Sequence, residues 1–165
     1  MTKTPSVDQS VKTTIIGVIS DTHGLLRPEA RKALVGVDMI LHAGDFDTMD
    51  ILTHLSGIAP LTGVRGNMDR GGWAARLPQS DYIQNGNHGI YLLHDLNRLD
   101  VDPAAADIRI VITGHTHQAA IKNVDRVLYF NPGGAGHRRF NYPITLGKIV
   151  INNETITPEI ITLIP

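Results

Sequence analysis

Five strand-like apolar runs in this chain each stop at an Asp, Asn or His, and that punctuation constrains the fold more than any other feature. Thr13-Thr14-Ile15-Ile16-Gly17-Val18-Ile19 is β-branched and continuously apolar, the pattern of a strand buried on both faces, and it ends at Ser20-Asp21. Asp38 to His42 ends at Gly44-Asp45, and Leu61 to Arg65 ends at Gly66-Asn67. Gly89 to Leu93 stops at His94, and Ile108 to Thr113 at Gly114-His115-Thr116-His117. Between the first three runs lie two helical segments. Glu29 to Val35 follows Pro28 and is closed by Gly36; the other starts at Asp47 as an expected N-cap, runs to about Leu55 and ends at Gly57. Strand, helix, strand, helix, strand implies parallel strands with helices outside, and in such sheets ligands gather beyond the carboxyl ends of the strands.

After Trp73 the pattern changes. Asp81 to Asn85, Ala119 to Lys122, Arg126 to Phe130, Ile144 to Ile151 and Thr155 to Leu163 read as further strands, and Pro103 to Ala106 as the one helical stretch among them. Turns at Asn123-Val124-Asp125 and Asn152-Asn153-Glu154 predict hairpins. The second half is therefore expected to form a mixed or antiparallel sheet packed on the first, an α/β architecture of two sheets with helices outside.

The chain has 165 residues, 42% of them hydrophobic, enough for one buried core and so one domain over residues 13–165. The polar residues 1–12 lack the apolar core of a signal peptide and read as a disordered tail. No apolar stretch approaches the ~20 residues that span a bilayer, so no membrane partner and a cytoplasmic address are expected. Fifteen Lys and Arg against sixteen Asp and Glu give a net charge of −1, which argues against nucleic acid as a partner. With no cysteine, any metal must be held by oxygen and imidazole. Asp21, His23, Asp45, Asn67, His94, His115 and His117 supply seven such donors, too many for one tetrahedral ion and suited to two ions that share a carboxylate. Residues two apart on an extended segment point the same way, so Asp21 with His23, and His115 with His117, can each offer two ligands to one pocket.

Asp21-x-His23, Gly44-Asp45, Gly66-Asn67, His94 and Gly114-His115-x-His117, in that order, resemble the calcineurin-like metallophosphoesterases, closest to their small single-domain bacterial and archaeal phosphodiesterase branch. The resemblance spans roughly Ile15 to Leu146 and implies a four-layer αββα sandwich. It further implies that Asp21, His23, Asp45 and His117 hold one ion and that Asp45, Asn67, His94 and His115 hold the other, with Asp45 bridging. The implied activity is hydrolysis of a small or activated phosphate ester by a hydroxide bridging two divalent ions, with Asp45, Asn67 and His94 as catalytic residues. Mn is the expected metal, with Ni, Fe, Co or Zn also suited to imidazole and carboxylate.

Two departures stand out. Many relatives carry a histidine directly after the Gly-Asn asparagine, where this chain has Met68, and a thioether donates no proton at neutral pH. The expected consequence is a preference for acidic leaving groups. Relatives usually have His-Gly where this chain has His94-Asp95, which narrows or recharges the rim beside the ligand. Asn131-Pro132-Gly133-Gly134 resembles the family's Asn-Pro-Gly-Ser turn, and Arg138 and Arg139 follow it. Asn67 and Arg139 are the candidate substrate contacts, although the arginine pair reads first as a solvated surface.

Other polar residues have plainer readings. His42 is assigned to structure, and His54 in a helix, His88 in an Asn/Gly turn and His137 in a loop to solvated or locally bonded positions. Asp47 and Asp50 read as helix-start carboxylates, Asp69 as either a group that orients its neighbours or a turn residue, Arg65 as pointing away from the pocket, and Trp73 as a core anchor. Two other functions compete with the phosphodiesterase. A non-catalytic scaffold like the retromer subunit of the same fold would tolerate loss of ligands, whereas all seven positions here keep donors. A metal-dependent nuclease is disfavoured by the charge and by the lack of a basic stripe with interleaved aromatics. Association into a homo-oligomer is left open by the sequence.

Overall fold

The computed structural model describes residues 12–165, so the expected tail lies outside the described residues except for Lys12. Ten strands and two α-helices follow in the order β1 (Thr13–Ile19), α1 (Pro28–Ala33), β2 (Met39–His42), α2 (Met49–Ser56), β3 (Leu61–Gly63), β4 (Ser80–Asn85), β5 (His88–Leu93), β6 (Ile108–Ile112), β7 (Ala120–Val124), β8 (Val127–Asn131), β9 (Ile144–Asn152) and β10 (Thr155–Ile164). They form two five-stranded sheets, β10-β9-β1-β2-β3 and β4-β5-β6-β8-β7. In the first, β1, β2 and β3 are parallel and β9 and β10 antiparallel; in the second, β5, β6 and β8 are parallel and flanked by antiparallel β4 and β7. Both sheets are mixed. The prediction that the whole second half forms one sheet is corrected here, because β9 and β10 return to pair with β1.

Alternation along β1 shows why the layers stack as they do. Ile16 and Val18 pack with Leu41, Ile90, Leu92, Ile110, Ile112, Phe130 and Ile149 between the sheets. Ile15 and Ile19 face the other way and join Leu34, Ile40, Ile51, Leu55 and Leu146 under the two helices. Each fully buried side chain of this kind is worth roughly 1.5–3 kcal/mol. Gly17 shares the helix side, where any Cβ would overlap the Leu34 side chain, so α1 seats directly on the strand.

Both α-helices lie on the first sheet, and the outer face of the second carries a smaller cluster in which Leu93, Ile108, Val111 and Val127 are covered by Leu99, Tyr91 and Tyr129. The fourth layer of the sandwich is therefore reduced to the 3-10 turn Leu96–Arg98 and its neighbours. The helix expected at Pro103 to Ala106 is a hydrogen-bonded turn, too short to propagate. Both predicted hairpins form. Asp125 and Arg126 with φ of 49° and 64° make the turn between β7 and β8, and Asn153 with φ of 52° the turn after β9. Among the described residues no helix is long and apolar enough to cross a membrane. The parallel cores of the two sheets point their carboxyl ends to the same side, and that shared edge is where the polar residues collect.

Candidate metal centre

The loops after β1, β2 and β3 deliver Asp21 and His23, Asp45, and Asn67; those after β5 and β6 deliver His94, His115 and His117. Main-chain hydrogen bonds lace these loops together. Asp21 N–H donates to Gly44 O at 3.0 Å, His23 N–H to Asp45 O at 3.1 Å, and Gly114 N–H to His94 O at 3.0 Å. Side-chain bonds also cross the sandwich: His94 Nδ1 donates to Ala43 O at 2.7 Å and thereby leaves its Nε2 lone pair facing the centre. The approach is close enough that a Cβ on Gly66 would overlap Asp45, and one on Gly114 would overlap Ser20, so only glycine fits either place.

Seven polar side chains meet there. Asp45 Oδ2 lies 3.3 Å from His94 Nε2 and 3.8 Å from His23 Nε2, which puts this carboxylate between two groups of donors. On one side, Asp21 Oδ1 lies 3.3 Å from His117 Nε2 and 3.8 Å from His23 Nε2, and those two nitrogens are 3.3 Å apart with their rings stacked. On the other side, Asn67 Oδ1 lies 2.9 Å from His94 Nε2 and 3.1 Å from His115 Nδ1. The first group is buried, whereas Asn67 and His115 are exposed, so solvent reaches the centre from the second side. All seven expected ligands are brought together. Arg139 is exposed on the loop after Gly136, and Arg138 donates to Tyr142 O at 3.1 Å and to Pro165 O at 2.6 Å, tied to the C-terminal residue.

The donor set fits a divalent cation. Asp21 Oδ1 is fully buried with no hydrogen-bond partner, while its other oxygen accepts from Ser20 Oγ at 2.6 Å and from His115 N–H at 3.0 Å. An orphaned carboxylate oxygen facing two imidazole nitrogens is costly unless positive charge sits among them. Backbone strain is gathered at the same place: Asp21, His23, Asp45, Asp47, His115 and His117 all have φ between 46° and 71°. Left-handed backbone costs a non-glycine residue about 1–3 kcal/mol, and such strain collects where a surrounding site over-determines the geometry.

Charges are already arranged for binding. Burial pushes the Asp21 carboxyl up, but the close His117 imidazole, the charge of His94 and the Ser20 hydroxyl together hold it below the usual carboxylate range. For Asp45, burial is likewise outweighed by the His94 hydrogen bond and charge and by Met68 N–H, which donates to Oδ1 at 2.8 Å. Burial pulls His94 down, and the bond and charge of Asp45 with the charge of Asp21 raise it above an ordinary histidine. His42 is fully buried, and burial depresses it to about 3. It stacks on Phe46 at 3.6 Å, accepts Gly44 N–H at Nδ1 and donates from Nε2 to Thr22 Oγ1, a structural group as expected.

Two residues have roles the sequence reading missed, and for Asp69 the structure selects the first of its two readings, a carboxylate that orients its neighbours. Asp69 accepts four backbone N–H groups, from Asp45 and Gly66 on one oxygen and from Phe46 and Asp47 on the other, at 2.8–3.0 Å. Burial raises its carboxyl while the N–H donors of Gly66, Asp47 and Asp45 pull it back. Asp47 is not the N-cap; Thr48 holds that position, and Asp47 lies before it with φ of 65° and its carboxylate 3.1 Å from His23 Nδ1. His88, expected in a turn, is the buried first residue of β5 and donates to Asn153 O at 2.7 Å. His54 and His137 are exposed, and Trp73 packs edge-on to Phe46, as expected.

The family profile for the calcineurin-like phosphoesterase superfamily domain matches residues 15–154. The chain belongs to this family. Within it, a probable metallophosphoesterase of Methanothermobacter thermautotrophicus is 35% identical over 159 residues, covering 89% of this chain and 91% of that protein. A phosphodiesterase of Methanocaldococcus jannaschii is 28% identical over 142 residues, covering 72% of this chain and 82% of its own. The structure of Vacuolar Protein Sorting 29 from Cryptosporidium parvum superposes with a TM-score of 0.74 at 17% identity, over 91% of this chain and 98% of that one, a likeness of fold alone. Membership of the family implies divalent metal ions, and the clusters Asp21/His23/His117 and Asp21/Asp45/His94 are candidate sites for them.

Proposed function

We propose that this chain is a dinuclear metal-dependent phosphodiesterase acting on small phosphate esters with acidic leaving groups. The observation that carries the reading is the position of Asp45, one carboxylate between the Asp21/His23/His117 cluster and the Asn67/His94/His115 cluster, beside the buried unpartnered Asp21 Oδ1. On this reading Asp21, His23, Asp45 and His117 hold one ion, and Asp45, Asn67, His94 and His115 the other. Two divalent ions, Mn being the expected pair, would supply Lewis acidity for the phosphoryl oxygens and make water nucleophilic near neutral pH.

The chain's own residues prepare that chemistry. Asp47 fixes the His23 ring and Ala43 O fixes the His94 ring, so each presents Nε2 in the right tautomer. Asn67 Oδ1 faces the imidazoles, which leaves its amide N–H groups to donate toward a phosphoryl oxygen on the solvent side. Asp21 and Asp45, both held below the usual carboxylate range, stay ionised and supply the negative charge that two cations need. Met68 contributes its backbone N–H to Asp45 while its side chain, 40% exposed, lies where a proton donor would otherwise stand. With no acid there, the leaving group departs as its anion.

The test is turnover of bis-p-nitrophenyl phosphate by the purified protein with added Mn²⁺, measured beside Asp45→Ala. Hydrolysis that needs the metal and is lost in the variant is expected. Metal binding without turnover would overturn the reading in favour of the scaffold role. The likeness to a phosphodiesterase of Methanocaldococcus jannaschii supports the diesterase reading.

A further inference from the structure

A groove of about 800 Å³ opens from the exposed side of the centre, starting at Asn67, His94 and His115 and running outward over β5. Its volume exceeds what a single phosphate with a small ester arm fills, and its walls carry three guanidiniums beside three carboxylates. Arg65, Arg70 and Arg98 all line it, and among the described residues none of the three is ion-paired. Arg65 does not point away, as alternation suggested; its Nε donates to Asp69 O at 3.2 Å, which fixes the guanidinium at the groove wall with its terminal nitrogens unpartnered among the described residues.

The acidic residues in the same groove are otherwise engaged. Asp69 is committed to four backbone N–H groups. Asp100 lies 3.4 Å from the Tyr91 hydroxyl, which also reaches Ser80 Oγ at 3.0 Å. Asp95 caps the 3-10 turn Leu96–Arg98, accepting Asn97 N–H at 3.0 Å and the Asn97 amide at 3.1 Å. Asp95 thus builds the turn that carries Arg98 to the rim. Three unpaired guanidiniums beside a phosphate-processing centre match an anion that presents planar oxygen pairs.

We infer that the substrate is a phosphodiester with a second anionic group, a phosphate or carboxylate, on one ester arm, held in this groove by Arg65, Arg70 and Arg98. This rests on the phosphodiesterase reading and names the substrate class of the same site. The reacting phosphate sits at Asn67, His94 and His115, and the second anion lies outward along β5. Asp95 is a positioning residue that sets Arg98 through the turn.

Two chromogenic diesters that differ by one phosphate decide it: the p-nitrophenyl ester of thymidine 5′-phosphate, and the same compound carrying a 3′-phosphate. With Mn²⁺, wild type is expected to prefer the 3′-phosphorylated ester by about tenfold or more in kcat/KM, the size of one charge-assisted contact, with the difference in KM. Arg98→Ala, Arg70→Ala and Asp95→Gly each lower that ratio several-fold, and Arg98→Lys restores part of it. Loss of folding or metal affects both esters alike, so the ratio isolates the groove. Equal turnover of both esters by wild type overturns the inference and leaves the phosphodiesterase standing. Turnover of neither overturns the phosphodiesterase; calorimetric titration of the purified protein with thymidine 3′,5′-bisphosphate then reads the groove alone, and binding unchanged by Arg98→Ala with Arg70→Ala overturns the inference as well.

Discussion

Replacing Asp69 by Asn tests whether one buried carboxylate holds the centre's loops in place. The substitution keeps the size of the side chain but turns one acceptor oxygen into an amide that faces two N–H donors. Whichever oxygen is lost, two of the four bonds to Asp45, Gly66, Phe46 and Asp47 go with it. A hydrogen bond to a charged group is worth about 1.5–3 kcal/mol, so the expected loss is roughly 3–6 kcal/mol. That is a large part of the ~5–15 kcal/mol that holds a typical domain. Asp69 is 1% exposed, so water cannot step in for the lost acceptor. Urea unfolding in the presence of a chelator, with wild type alongside, measures the difference at constant m-value. A change below about 1 kcal/mol with unaltered m would refute the reasoning, because the four N–H groups would then have found other partners.

Three further outcomes follow from the same geometry. His42 sits near 3 in the fold against about 6.5 for an unfolded histidine, so the unfolded chain takes up a proton that the fold refuses; stability therefore rises with pH between about 3 and 6.5, by up to ~1.4 kcal/mol per pH unit, and unfolding curves of His42→Gln should show a shallower acid limb than wild type. Asp47→Ala frees the His23 ring, and Mn²⁺ affinity measured by calorimetry should fall about 10–100-fold; an unchanged affinity would show that Asp47 does not orient it. Across a series of aryl phosphodiesters the wild-type rate should fall steeply as leaving-group pKa rises, and Met68→His should flatten that slope, since general acid catalysis is worth about 10²–10⁴-fold. A flat wild-type slope would remove the role assigned to Met68.

The strands and the donor set were legible because both are local signals. A β-branched run that ends at Gly-Asp or Gly-Asn declares its sheet edge within a few residues, and seven such donors in order leave few alternatives. What the sequence hid lies in pairings that periodicity does not encode. Residues 144–164 alternate in the same way whichever sheet they join, so only their pairing with β1 shows that β9 and β10 leave the second sheet. Asp47 looked like a helix cap because its composition signal is the same as that of Thr48, and the φ of 65° that turns it toward His23 has no sequence mark. Asp69 carried one readable hint, its place three residues after Gly66, where a carboxylate can reach back to bond the turn. Its other three donors come from a loop more than twenty residues earlier in the chain.

The most direct measurement is Mn²⁺ stoichiometry by calorimetry on wild type and Asp45→Ala. Two ions per chain in the wild type, both weakened together in the variant, are predicted by a carboxylate shared between the two clusters. Two ions bound with undiminished affinity in Asp45→Ala, or a wild type that binds none, would contradict it.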